Sequence, residues 1–147
     1  MTMRRRAAAL IGAALVATAV PAVDAVSPAS ATTSRSFSCQ GTISRNYTLQ
    51  KVTGTLTGAT PSNVTVRNYV DRVLVTSQAP SLDNAWWSGY WKTTYALNQW
   101  KVGKDASSNT YHLMLPGTPI GGAFQGLLVS EFAAGGNWQN WMSCTAA

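Results

Sequence analysis

Two cysteines, Cys39 and Cys144, stand near opposite ends of a chain of 147 residues. Their state constrains the fold more than any other feature. If they join, the two segments that carry them must end side by side, because a disulfide tolerates only a short Cα–Cα separation. A lasting bridge also needs an oxidising compartment. The N-terminus predicts one. It begins MTMRRR, continues through an uncharged apolar run from Ala7 to Val20, and closes on Ala29-Ser30-Ala31. A basic start, an apolar stretch and small residues at a cleavage position together read as a secretory signal peptide of bacterial style. The apolar run is shorter than the roughly 20 residues a membrane helix needs. The sequence therefore predicts residues 1–31 as signal, residues 32–147 as a single extracellular domain, and no membrane span after cleavage. An even pair of cysteines in an exported chain reads as a Cys39–Cys144 disulfide. A zinc site is the poorer account, since only His112 is available to join the two and the spacing fits no zinc pattern.

Loss of the signal removes Arg4, Arg5, Arg6 and Asp24. Eight basic and four acidic residues remain, and the net charge falls from +6 to +4. The remaining cations, among them Arg35, Lys51, Arg67, Lys92 and Lys101, are scattered along the chain. A nucleic-acid-binding surface would cluster them, so no nucleic acid is expected as a partner. Weak attraction to acidic cell-wall polymers is the most that this charge suggests. The domain is long enough for one hydrophobic core and too short for two.

Periodicity points to strands. In SFSCQGTIS, Phe37, Cys39 and Ile43 share one parity and Ser36, Ser38, Gln40 and Thr42 the other, as in a half-buried strand whose cysteine faces inward. The run from Asn46 to Gly58 is rich in Thr, Val and Leu, but its apolar parity switches between Leu49 and Val52, which predicts a bulge or turn near Lys51. A second slip falls around Asp71-Arg72. ATPS and KDASSN read as turns, and PGTPIGG cannot be regular structure. TYHLML reads as a short strand. AFQGLLVSEF is apolar on both parities, as a central strand or a short buried helix would be. In GGNWQNWMSC, Trp138, Met142 and Cys144 share one parity and Trp141 takes the other. Seven or eight short segments between turns predict an all-β fold: a single small antiparallel β-sandwich or barrel closed by one disulfide.

The densest feature is NAWWSGYWKTTYALNQW, Asn84 to Trp100, with four of the chain's six tryptophans. Its Ser, Gly and Thr are poor helix formers, and Trp, Tyr and Thr favour strands. A helix, on which Trp87, Trp91 and Tyr95 recur every four residues, is therefore the alternative, and a strand is the preferred reading. Its odd positions, with Trp87, Trp91, Tyr95 and Leu97, would then pack inward. Its even positions would set Trp86 and Tyr90 beside Ser88, Lys92 and Thr94. WSGYW…NQW resembles the tryptophan strands of avidin-like barrels over a small part of the chain, without a biotin-contacting polar set elsewhere.

Catalytic chemistry is sparse. Asp71, Asp83, Asp105 and Glu131 are the carboxylates of the mature chain, and two of them would have to face each other for glycoside hydrolysis. Asp83 and Asp105 sit in turn-like segments, where Asp is common for backbone reasons. His112, on the polar parity of its strand, reads as an exposed histidine, with general-base work as the alternative. There is no nucleophile elbow, zincin motif or phosphate loop. The residues therefore predict a non-catalytic protein with no cofactor and no metal. Trp86, Tyr90 and Trp141 are its candidate ligand-binding residues, with Asn84, Gln139 and Asn140 nearby to bond hydroxyls. An extracellular glycan is the expected partner. A protein is the alternative, either a hydrolase inhibited by the loop LPGTPIGGAF or a neighbour at the cell surface.

Overall fold

Alternating residues sort onto the two faces of a sheet in nine antiparallel strands of a computed structural model that describes residues 33–43, 48–83 and 92–147. The expected signal segment, Asn84, Trp86 and Tyr90 lie outside them. The strands are β1 (Ser34–Ile43), β2 (Thr48–Thr57), β3 (Thr60–Arg67), β4 (Val73–Ser77) and β5 (Ser81–Leu82). After a helical turn at 92–95 come β6 (Leu97–Lys104), β7 (Thr110–Pro116), β8 (Gly122–Glu131) and β9 (Asn137–Ala146). They form one sheet in the order β4-β3-β2-β1-β9-β8-β7-β6-β5. Seven of the eight pairings among the described strands join sequence neighbours, and the exception is the pairing of first with last. The sheet curls, so that β4 and β6 touch without sharing a ladder among the described residues. Among those residues no helix is long and apolar enough to cross a membrane.

The β1–β9 pairing sets Cys39 directly opposite Cys144. The two form a disulfide with a Cα–Cα distance of 4.0 Å, and both residues are buried. Around the bridge the inner face carries Phe37, Val52, Leu56, Val64, Val66, Leu113, Leu128 and Met142 in one core. Each such side chain contributes about 1.5–3 kcal/mol of transfer free energy. A second cluster, Leu97, Met114, Leu127 and Val129, lies on the opposite face of β6, β7 and β8. The sheet is therefore buried on both faces there, which is why AFQGLLVSEF is apolar on both parities; it is the strand β8.

The expected bulge near Lys51 is absent. β2 pairs with β1 without a break from Thr48 to Thr57, and its irregularity toward β3 falls between Thr53 and Thr55. The parity switch has another cause. Gln50 faces inward beside Val52 and is buried, its oxygen accepting from Asn140 Nδ2 at 3.0 Å and its Nε2 donating to Ser130 Oγ at 3.5 Å. A polar residue takes an inward place because its hydrogen bonds are met there. At Gly54 a side chain would meet the Phe37 ring, with Cε1 2.7 Å from an ideal Cβ. Glycine at this bulge lets the ring lie on the backbone of β2.

The turn KDASSN is an Asx turn, as its composition suggests. Asp105 Oδ1 accepts from the amides of Ser107 and Asn109 at 2.9 and 3.0 Å, and Oδ2 accepts from Tyr111 Oη at 2.8 Å. Burial alone would raise the Asp105 pKa, but the bonds from Asn109, Tyr111 and Ser107 outweigh it and hold the carboxyl below its ordinary value. Burial first, then the bond to Asp105, pushes the Tyr111 phenol upward. A carboxylate depressed in the folded state contributes stability above its unfolded pKa of about 3.9, and that stability is lost as pH falls through the folded value. Tyr111→Phe is expected to lower stability by about 1–2 kcal/mol at pH 7, in keeping with a hydrogen bond to a charged acceptor. The deficit should shrink below about pH 4. Urea midpoints at the two pH values check this, and an equal deficit at both would contradict it.

Candidate functional site

The outward residues of β9 are Asn137, Gln139, Trp141, Ser143 and Thr145, alternating with the buried Asn140, Met142, Cys144 and Ala146. Trp141 remains 41% exposed. Its register partner on β8 is Leu127, and the next outward position pairs Ser143 with Gln125. Tyr95, at the end of the turn 92–95, is 47% exposed. Its ring meets the Trp141 indole edge-on, with centroids 5.2 Å apart and planes at 64°, a favoured geometry for aromatic pairs. Tyr95, Leu97, Pro116, Gln125 and Trp141 line a groove of ≈ 440 Å³. None of these side chains is charged.

This corrects the expectation for the stretch from Asn84 to Trp100. The part at 92–95 is helical, and the strand begins only at Leu97. Ala96 between them has φ 56°, a left-handed conformation, and its carbonyl accepts from Gly117 N–H at 3.0 Å. The reversal at Ala96 separates Tyr95 from Leu97, which strand parity would have put on one inward face. Leu97 is buried and Tyr95 is exposed. Asn140, expected beside the rings, is instead buried on the inner face, where its Nδ2 donates to Gly41 O at 3.2 Å and to Gln50. Gln139 is exposed on the face of Trp141. Of the three ligand-binding residues expected, Trp141 is placed on this groove, and Trp86 and Tyr90 lie outside the described residues. Tyr95 and Gln125 were not anticipated. The only sign of Gln125 was its odd parity within a strand apolar on both faces.

A second polar group lies on the same side of the sheet. His112 is 4% exposed, not the exposed histidine its polar parity suggests. It is buried because its face of β6–β7–β8 also carries Leu97, Met114, Leu127 and Val129. Asp83 Oδ2 lies 3.2 Å from its Nδ1 and Glu131 Oε2 lies 3.7 Å from its Nε2. Gln99 Nε2 donates to Asp83 Oδ2 at 3.1 Å. A carboxylate at Nδ1 fixes the ring's orientation, as in acid–base dyads, but Nε2 is enclosed and makes no hydrogen bond among the described residues. At 4% exposure the ring is part of the packing of this face. His112→Ala is expected to cost about 2–3 kcal/mol, as when a buried polar partner and its volume are removed. The urea midpoint measures it, and a loss below about 0.5 kcal/mol, the usual range for surface changes, would show the cluster to be inconsequential. Among the described residues no group of His, Cys, Asp and Glu is arranged to hold a metal ion.

No protein-family model matches the chain, and neither does any curated protein or solved structure.

Proposed function

We propose that this is an exported, non-catalytic binding protein that recognises glycans, such as cell-wall polysaccharide, through Trp141 and Tyr95, with Trp86 and Tyr90 as further contributors. We read the curled sheet as a barrel left open between β4 and β5, with the site on its outside. The observation that carries the proposal is the edge-on Trp141–Tyr95 pair lining an uncharged groove. Two large rings that each keep more than a third of their surface exposed forfeit part of their transfer free energy, and two at one place suit a ligand with apolar faces and polar edges. A sugar ring is such a ligand. Its C–H face packs on an indole, and an amide such as Gln125 bonds the hydroxyls as donor and acceptor at once.

Tryptophan fluorescence titration with chitin and cellulose oligosaccharides and with cell-wall fragments tests the reading. Trp141→Ala is expected to weaken binding at least tenfold, about 1.4 kcal/mol, with the urea midpoint little changed. An affinity indifferent to this substitution would sink the proposal.

A second reading, stoichiometric inhibition of an extracellular hydrolase, draws on the loop between β7 and β8. Gly117, Thr118 and Pro119 are exposed, while Ile120 is buried in the core. Hydrogen bonds from Ile120 N–H to Gly58 O and from Gly117 N–H to Ala96 O tie the loop at both ends. A loop held this way loses little entropy on binding. One-to-one loss of activity in a panel of secreted proteases would favour this reading over the first.

A further inference from the structure

We infer that the aromatic groove is one end of a track across the outer face of β8, β9 and β1, and that its ligand is an uncharged linear polysaccharide bound along several units. The inference rests on the glycan reading and specifies its substrate class. A second groove, of ≈ 610 Å³, has Ser38, Gln40, Phe124, Ser143 and Thr145 among its lining, together with Gln125. Gln125 lines the aromatic groove as well, so the two grooves adjoin at one side chain. The register explains how. Ser143 sits between Gln40 on β1 and Gln125 on β8, and Thr145 sits between Ser38 and Ala123. These positions are all outward and exposed. From Trp141 to Thr145 the face of β9 runs about 13 Å at the strand rise per residue, which exceeds one sugar ring.

The chemistry of the lining selects the ligand. Hydroxyls and primary amides offer donors and acceptors together, as sugar hydroxyls do. Carboxylate or phosphate polymers are held by Arg and Lys, which supply donors and charge, and among the described residues neither groove has either one in its lining. The nearest cation in register is Lys51, opposite Gln40, and its Nζ lies 3.2 Å from Asp71 Oδ1. A basic protein thus presents a neutral strip, which argues against the acidic cell-wall polymers its net charge suggests.

The test is calorimetric titration of the disulfide-bonded protein with cello- and chito-oligosaccharides from one to six units, and with polygalacturonate as an anionic comparator. Affinity should rise at least tenfold from disaccharide to hexasaccharide and change little with salt. Ser143→Arg, at an exposed position in the middle of the second groove, should lower hexasaccharide affinity to that of the wild-type disaccharide. If length has no effect while Trp141→Ala still abolishes binding, the track is wrong and the aromatic site stands. If Trp141→Ala changes nothing, or if no neutral saccharide binds, both fall. Tighter, salt-sensitive binding of polygalacturonate would overturn the neutral ligand class.

Discussion

Removing the Cys39–Cys144 bridge should lower the stability of the domain by about 4 kcal/mol, near the 4.7 that chain-entropy estimates give for a loop of about a hundred residues. The sequence separation is 105, so in the unfolded oxidised chain almost every described strand lies inside one closed loop. Reduction frees that loop and raises the entropy of the unfolded ensemble. The folded state loses little, because β1 and β9 still exchange backbone hydrogen bonds and β9 pairs along its whole length with β8. The variant to use is Cys39→Ala/Cys144→Ala. Both residues are buried, and serine would place an unmatched hydroxyl in the core. Urea unfolding should show an earlier midpoint and a steeper slope, since the uncrosslinked chain exposes more surface. A loss under about 1 kcal/mol would mean that the unfolded chain stays compact without the bridge.

The sequence disclosed the disulfide and the all-β class for a common reason: both depend on local or pairwise patterns. Phe37 and Cys39 alternate with polar residues, Met142 and Cys144 do the same, and two inward cysteines on partner strands meet once those strands pair. Gln50 was hidden because its inward place depends on Asn140 and Ser130, far away in sequence. His112 misled for a related reason. Polar parity normally means a wet face, yet this face also carries Leu97, Met114, Leu127 and Val129. Only part of the candidate site was legible. Trp141 stood out as the aromatic on the polar parity of β9. Tyr95 did not, because its exposure follows from the left-handed conformation of Ala96, and alanine gives no local sign of it. Gln125 owes its importance to register, which no single strand reveals.

Leu113→Ala should cost about 3–4 kcal/mol, within the 2–5 found when a buried leucine is cut to alanine. Leu113 has no exposed surface. It lies on the inner face of β7, with Trp100 opposite on β6 and Leu128 opposite on β8. All three belong to the main core. The strands on both sides are held by their own ladders, so the site has little freedom to collapse and a cavity should remain. Leu82→Ala is the control. That side chain is 55% exposed on the short strand β5, and surface changes usually stay within about 0.5 kcal/mol. Comparable losses from the two would contradict the placement of Leu113. The cavity acts on the folded state, whereas the disulfide acts mainly on the unfolded one, so the two effects should nearly add. Together they approach about 8 kcal/mol, inside the 5–15 kcal/mol that a domain commonly has in total. With a total below about 8 kcal/mol the reduced Leu113→Ala protein is largely unfolded at 25 °C, while either change alone still leaves a folded population. A triple variant that keeps a native near-ultraviolet circular dichroism would place the total above about 8 kcal/mol.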